Sequence, residues 1–288
     1  MTMDTEPKLG LVLEGGGMRG VYTAGVMDYF LEENFFVDNV IGVSAGAVQA
    51  VNLVSKQPKR GFRVIAEFAN DKRYMSIRSL FKTGDFFNKN FCYDTIPNEL
   101  DPFDYETFKN SLTKCYAGCT NLETGAAEYM QLSDLKKDMD ILRASGSLPL
   151  MSNSVIIKGK PYLDGGVGDS IPLKASQEMG YAKNIVVLTR AKGYRKKPNK
   201  LLPLIRLKYR KYPLFVIACE MRFEHYNNTL DYIEESEKKG ETFVIRPEAD
   251  VEVARLERDV KKLTALYEDG YAQTKSLFGD IKKFIGKV

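Results

Sequence analysis

Gly42-Val43-Ser44-Ala45-Gly46 is the stretch whose residue types and spacing point most directly to chemistry. A serine on a sharp strand-to-helix turn projects its hydroxyl above the sheet, and glycines flank it because a Cβ there would clash. The helix that begins at such a serine sets its positive N-terminal end beneath developing negative charge. With 23 glycines in the chain a G-x-S-x-G can arise by chance, so its context decides. Here the apolar residues 39–43 lead into it and the small-residue run 45–55 opens behind it. That is the strand–turn–helix setting the chemistry requires.

A second stretch, Gly15-Gly16-Gly17-Met18-Arg19-Gly20, follows the apolar run 9–13 and precedes a helical pattern. Gly15, Gly17 and Gly20 spell G-x-G-x-x-G, the form of a dinucleotide-binding fingerprint. Such a site needs an acidic residue at the end of the next strand to hold a ribose hydroxyl. Glu32, Glu33 and Asp38 all precede that strand, and its far end carries Ser44 instead. The cofactor reading fails this test.

A serine nucleophile needs a base. The only histidine, His225, falls inside a predicted helix, a poor place for the mobile base of a Ser-His-Asp triad. The other candidate is Asp164, in Tyr162-Leu163-Asp164-Gly165-Gly166. An aspartate between a strand and two glycines can stand at a strand end with close backbone approach. It can equally belong to an Asp-Gly hairpin turn. The four cysteines (Cys92, Cys115, Cys119 and Cys219) read as buried, reduced thiols, and Cys115-x-x-x-Cys119 lacks the second pair or nearby histidine of a zinc site. No metal and no cofactor are expected.

The elements that must position these residues follow from periodicity. Residues 9–13, 39–43 and 184–189 read as buried strands, and 21–33, 45–55 and 58–70 as helices. This strand–helix–strand–helix opening predicts a parallel sheet with right-handed crossovers. Residues 116–121 and 126–132 flank Leu122-Glu123-Thr124-Gly125 as a hairpin, 135–144 are helical, and 155–157 and 161–163 are strand-like. The segments 215–238 and 253–284 are mainly helical, with a strand at 242–246 between them. Residues 74–105 are irregular and aromatic, suiting a lid or acyl-binding wall, Phe81 to Tyr105 above all, or a satellite core under a long loop. No repeat or linker divides the 288 residues, so one domain is expected: a core of about 8–190, a basic segment 192–212 and a helical part 214–288.

The amino-terminal MTMDTEPK carries acids and lacks the apolar region of a signal peptide, and no apolar run is long enough for a membrane span. A cytoplasmic protein is expected. Net charge is only +4, but Lys192 to Lys211 holds nine basic residues and no acid, interleaved with Leu201, Leu202, Leu204, Ile205 and Leu207. Such a segment is a solvated surface loop with a short helix, or a peripheral contact with an anionic membrane. No nucleic-acid partner is expected.

Together, Glu14-Gly15-Gly16-Gly17-Met18-Arg19-Gly20, Gly42-Val43-Ser44-Ala45-Gly46-Ala47 and Asp164-Gly165-Gly166, in this order, resemble the patatin-like phospholipases. The resemblance takes in the Thr120 to Gly125 stretch and Arg143 to Met151, and runs from Lys8 to about Thr189. It implies an α/β, patatin-like three-layer fold with a mostly parallel central sheet flanked by helices. It implies a serine acyl hydrolase acting on lipid or other acyl esters, with Ser44 as nucleophile and Asp164 as base. Gly15, Gly16 and Gly17, with Arg19 nearby, would form the oxyanion loop, Gly42 and Gly46 the nucleophile elbow, and Gly165 and Gly166 the base loop. The rivals are a soluble short-chain esterase or thioesterase and, from another class, a nucleotide-binding or non-catalytic interaction module using the glycine loop.

Overall fold

A computed structural model describes residues 8–249 and 252–286. All of the acidic amino-terminal stretch but Lys8 lies outside them, as do the last residues of the expected helical part. In chain order the elements are β1 (Leu9–Leu13), α1 (Gly20–Glu32), β2 (Asn39–Val43), α2 (Ala45–Val54), α3 (Arg60–Phe68), α4 (Ile77–Thr83) and α5 (Tyr105–Lys109). There follow β3 (Lys114–Asn121), β4 (Ala127–Leu132), α6 (Leu135–Gly146), β5 (Val155–Ile157), β6 (Lys160–Asp164), α7 (Leu173–Glu178) and β7 (Lys183–Val187). The last are α8 (Leu202–Lys208), α9 (Pro213–Lys238), β8 (Thr242–Ile245) and α10 (Val260–Ile285). A 3-10 turn occupies Gly17–Arg19 and a π-helical segment Phe91–Leu100.

One mixed sheet runs in the order β5-β6-β3-β2-β1-β7-β8, with β4 also paired to β3. The strands β3, β2, β1, β7 and β8 are mutually parallel. Side chains alternate between faces along each strand, so adjacent residues enter different cores. Leu11 and Leu13 pack with Val21, Tyr22 and Phe30 of α1 and Leu263 and Phe278 of α10. Val12, Ile41 and Val186 pack on the other face with Leu173 of α7 and Tyr226 and Ile233 of α9. This is the expected three-layer α/β arrangement. Burial on both faces explains why the central strands read as unbroken apolar runs.

α1 and α10 approach closely at two glycines. A Cβ on Gly25 would meet the carbonyl of Tyr267 and the N–H of Tyr271, and one on Gly270 would meet the carbonyl of Tyr22.

Register along β3 positions the site. β2 pairs with β3 from Asn39↔Lys114 to Val43↔Gly118 and then leaves the sheet. β4 occupies the other edge over Cys115 to Thr120, so the edge vacated by β2 is free from Cys119 onward. β6 takes that place, with Asp164 opposite Cys119. Consecutive residues of one strand therefore hold the end of β2, just before Ser44, and the end of β6, at Asp164.

Two helix starts differ from expectation. Residues 58–59 lie outside α3: Lys59 adopts φ 63°, and its N–H is donated to Asp28 Oδ1 at 2.7 Å. The last helix begins at Val260, where Asp259 caps the N–H of Lys261, rather than at Val253. Residues 253–259 form a loop whose Arg255 carbonyl accepts the N–H of Met18 at 3.0 Å. A long-range backbone bond of this kind leaves no periodic trace in sequence.

Candidate active site

Ser44 stands between β2 and α2 with φ 55° and ψ −121°. For a residue bearing a Cβ this conformation costs about 1–3 kcal/mol and persists only when its surroundings over-determine it. They do so here. Its N–H is donated to Ser145 Oγ at 2.9 Å, that hydroxyl is donated to the Gly118 carbonyl at 2.7 Å, and the Ser44 carbonyl accepts the N–H groups of Ala47 and Val48. A Cβ on Gly42 would lie 2.5 Å from the nitrogen of Ala47, and one on Gly46 would meet the Leu13 carbonyl. The two glycines thus let β2, α2 and the end of β1 come together.

Ser44 is 7% exposed and Asp164 1%. Ser44 Oγ donates to Asp164 Oδ2 at 2.7 Å. The second oxygen, Oδ1, accepts the N–H of Gly166 at 2.8 Å, which fixes the carboxylate plane. The aspartate backbone is held by its N–H to Ser147 O and by Thr120 Oγ1 to its carbonyl, both 2.8 Å. Gly165 lies against the Gly118 carbonyl with no room for a Cβ. Of the two readings left open for Asp164, the strand end is the one that folds. β5 and β6 turn at Lys158 and Gly159, where both residues have positive φ, and not at Asp164-Gly165.

The glycine loop departs from expectation in one respect. The N–H of Gly15 is donated to Ser170 O at 3.2 Å, and that of Met18 to Arg255 O at 3.0 Å. Among the described residues the N–H groups of Gly16 and Gly17 have no protein partner. Gly17 sits at φ +59°, where a Cβ would also lie 2.6 Å from the Arg255 carbonyl. The free donors are therefore two of the three expected. Arg19 lies beside the loop, but it lines a different cavity from Ser44, and its buried Nε has no partner.

His225 is exposed on α9 and lines a separate pocket with Asp169 and Lys174, with no hydrogen bond to Ser44. Sequence reasoning missed Ser145, Thr120 and Glu14 as supports. Glu14 is buried and accepts the N–H and hydroxyl of Thr189 and the hydroxyl of Tyr226, tying the end of β1 to β7 and α9. Their one signal was position inside stretches that the resemblance takes in, 14–20 for Glu14, 120–125 for Thr120 and 143–151 for Ser145. Removing the Ser145 hydroxyl strands a buried N–H, which costs about 1–3 kcal/mol. Ser145→Ala is expected to lower stability by that amount in urea denaturation, and an unchanged midpoint would refute the support role.

The family model for patatin-like phospholipase matches residues 11–176. This chain belongs to that family. A second family model, a domain of unknown function, matches residues 212–286. The patatin-like chain is 29% identical over 185 residues to the uncharacterized protein YjjU of Escherichia coli, covering 63% of this chain and 51% of YjjU. It is 28% identical over 183 residues to the lysophospholipase nte1 of Emericella nidulans, covering 60% of this chain but 11% of nte1. The matches therefore span about half of YjjU and about a tenth of nte1. The solved structure of VipD from Legionella pneumophila aligns over 96% of this chain and 67% of VipD, at 12% identity and a TM-score of 0.46.

Two cavities flank the glycine loop of this patatin-like protein. One, of about 120 Å³, touches Ser44 and Gly17 and is walled by Val48, Val64, Tyr74, Phe87 and Tyr93. It continues past the shared Val48, Val64 and Phe87 into an apolar space of about 100 Å³ that reaches Ile96, Phe103 and Leu142. The aromatic stretch thus contributes Phe87, Tyr93 and Phe103 to the cavity walls. Phe81, the start of the expected wall, is instead 86% exposed. The second cavity, about 740 Å³, lies beside Gly15 and is strongly basic.

No helix among the described residues is long and apolar enough to cross a membrane. The basic run is split. Lys196 faces the basic cavity, Arg195 pairs with Asp231, Arg206 pairs with Glu220 at 2.8 Å, and Leu201, Leu204 and Leu207 lie exposed around α8.

Proposed function

We propose that this patatin-like protein hydrolyses carboxylic esters of lipids through an acyl–Ser44 intermediate. The observation that carries the reading is the 2.7 Å hydrogen bond from Ser44 Oγ to Asp164 Oδ2 at a strained strand-to-helix turn. Ser44 Oγ attacks the ester carbonyl carbon and its proton passes to Asp164. The oxyanion meets the N–H groups of Gly16 and Gly17, and the intermediate collapses as the alcohol leaves with the proton from Asp164. Water then repeats the sequence and releases the acid. Donors already aimed at the developing charge avoid reorganisation at the moment of reaction, and one such donor is typically worth about 3–4 kcal/mol.

The acyl chain enters the apolar cavity between Val48, Val64, Phe87 and Tyr93. Lys192 to Lys211 forms a peripheral contact with anionic membrane, supported by exposed Leu204 and Leu207 on α8, Leu201 just before it, and Leu214 and Ile217 of α9. Intact-mass measurement after treatment with a fluorophosphonate tests the nucleophile. Wild type should gain one adduct and Ser44→Ala none. A wild type that stays unlabelled with and without detergent removes the hydrolase reading.

A further inference from the structure

The cavity of about 740 Å³ beside Gly15 is lined by Arg19, Arg190, Lys196, Arg222 and Arg255, by the further cations Lys197 and Lys200, and by two acids, Glu14 and Glu252. Glu14 offsets part of this charge but makes no ion pair with the cluster, its oxygens accepting from Thr189 and Tyr226. Among the described residues none of the seven cations has a carboxylate within 4.0 Å. Two rest on rings instead: Lys196 Nζ lies 4.0 Å from the centroid of Tyr226, and the Arg190 guanidinium 4.6 Å from that of Tyr194. The buried Nε atoms of Arg19 and Arg190 have no hydrogen-bond partner. A concave site in which seven cations face two acids focuses the field on an anion, and guanidinium forks match the oxygens of phosphate.

We propose that this cavity binds a phosphate-bearing group, held by Arg190, Lys196 and Arg255, all of them beyond residue 176. The site adjoins the proposed chemistry. A Cβ on Gly15, in the cavity wall, would lie 3.2 Å from the Ser44 Cβ, and Arg222 Nε donates to the carbonyl of Gly166, whose N–H holds Asp164. An ester with an apolar chain and a phosphate head would thus span Ser44 between the two cavities. That occupant rests on the hydrolase reading; the anion site itself does not.

Charge in the cavity is also proton-linked. Burial, and then Arg222, push the Lys196 amine down to about 7, with Arg255 and Arg19 adding to the effect and Glu14 opposing it. Tyr226, Tyr194, Arg190, Lys197, Lys200 and Glu252 line the same cavity. A bound dianion restores the proton.

The test is calorimetric titration of the full chain with glycerol 3-phosphate at pH 8 and constant chloride. A phosphate monoester is already dianionic there, its second pKa being about 6. Saturable one-to-one binding with proton uptake is expected, read from two buffers of different ionisation enthalpy. Affinity should fall at least about tenfold in Arg190→Gln, Arg255→Gln and Lys196→Met, and proton uptake should vanish in Lys196→Met. Lys82→Met, on the exposed surface, is the control. Equal affinity in all four variants, or no binding above the chloride background, overturns the site. Competition then assigns the occupant. A rise in KM for 1-butyryl glycerol 3-phosphate alone means a substrate headgroup, whereas a change of kcat for that ester and 4-nitrophenyl butyrate together means a free regulatory anion. Binding retained by Ser44→Ala beside a wild type without hydrolysis keeps the site and removes the hydrolase reading.

Discussion

Asp164→Asn is expected to lower kcat for a lipid ester by about 10⁴-fold with KM nearly unchanged, as when the orienting aspartate of a serine triad is replaced. That loss corresponds to about 5.5 kcal/mol of transition-state stabilisation. Asparagine keeps the size of the side chain: its one oxygen can still accept the Gly166 N–H while its NH2 donates to Ser44 Oγ, so the turn around it can persist. What disappears is the ability to take the proton. Ser44→Ala should fall as far or further, and the double variant should cost little more than the worse single change, because groups that act as one unit are not additive. Circular dichroism on each variant separates loss of chemistry from loss of fold. An Asp164→Asn enzyme within tenfold of wild type would mean that another group takes the proton.

The second large effect lies far from the site. Gly25→Val is expected to destabilise the protein by about 3 kcal/mol or more, at or beyond the upper end of ordinary overpacking. The added carbon would meet the backbone of α10 at Tyr267 and Tyr271, which has no rotamer with which to yield. Against a total stability of about 5–15 kcal/mol that is a large fraction, and thermal unfolding would show it. The same contact underlies the expectation of one folding unit. We infer that a chain ending at residue 211 loses the cover over Val21, Tyr22 and Phe30 that α10 supplies, and no longer unfolds cooperatively. A cooperative transition in that truncated chain would show that the amino-terminal part folds alone.

Strands buried on both faces were legible in the sequence because solvent exclusion leaves an unbroken apolar run. β1 and β2 match their expected ends, Leu9 to Leu13 and Asn39 to Val43. The G-x-S-x-G turn was legible for a related reason: contacts that exclude a Cβ can be met only by glycine. The commitment of the Gly15 N–H to Ser170 was not legible, since a backbone donor carries no residue code. Nor was the division of the basic run, where Lys196 turns inward because Tyr226, 30 positions later on α9, offers it a ring face.

The Arg255 carbonyl that accepts the Met18 N–H lies outside residues 11–176, as do Arg190, Lys196 and Arg222 of the basic cavity. The shared region thus supplies the serine, the aspartate and the glycines, while the chain beyond it closes the loop from behind and builds the charged wall. Inheritance of the two is separable. On the proposed reading, proteins that hold residues 11–176 in common but end in a different segment would keep the same bond-breaking apparatus and select different molecules for it, which makes relatedness over that region a guide to reaction and a poor guide to diet.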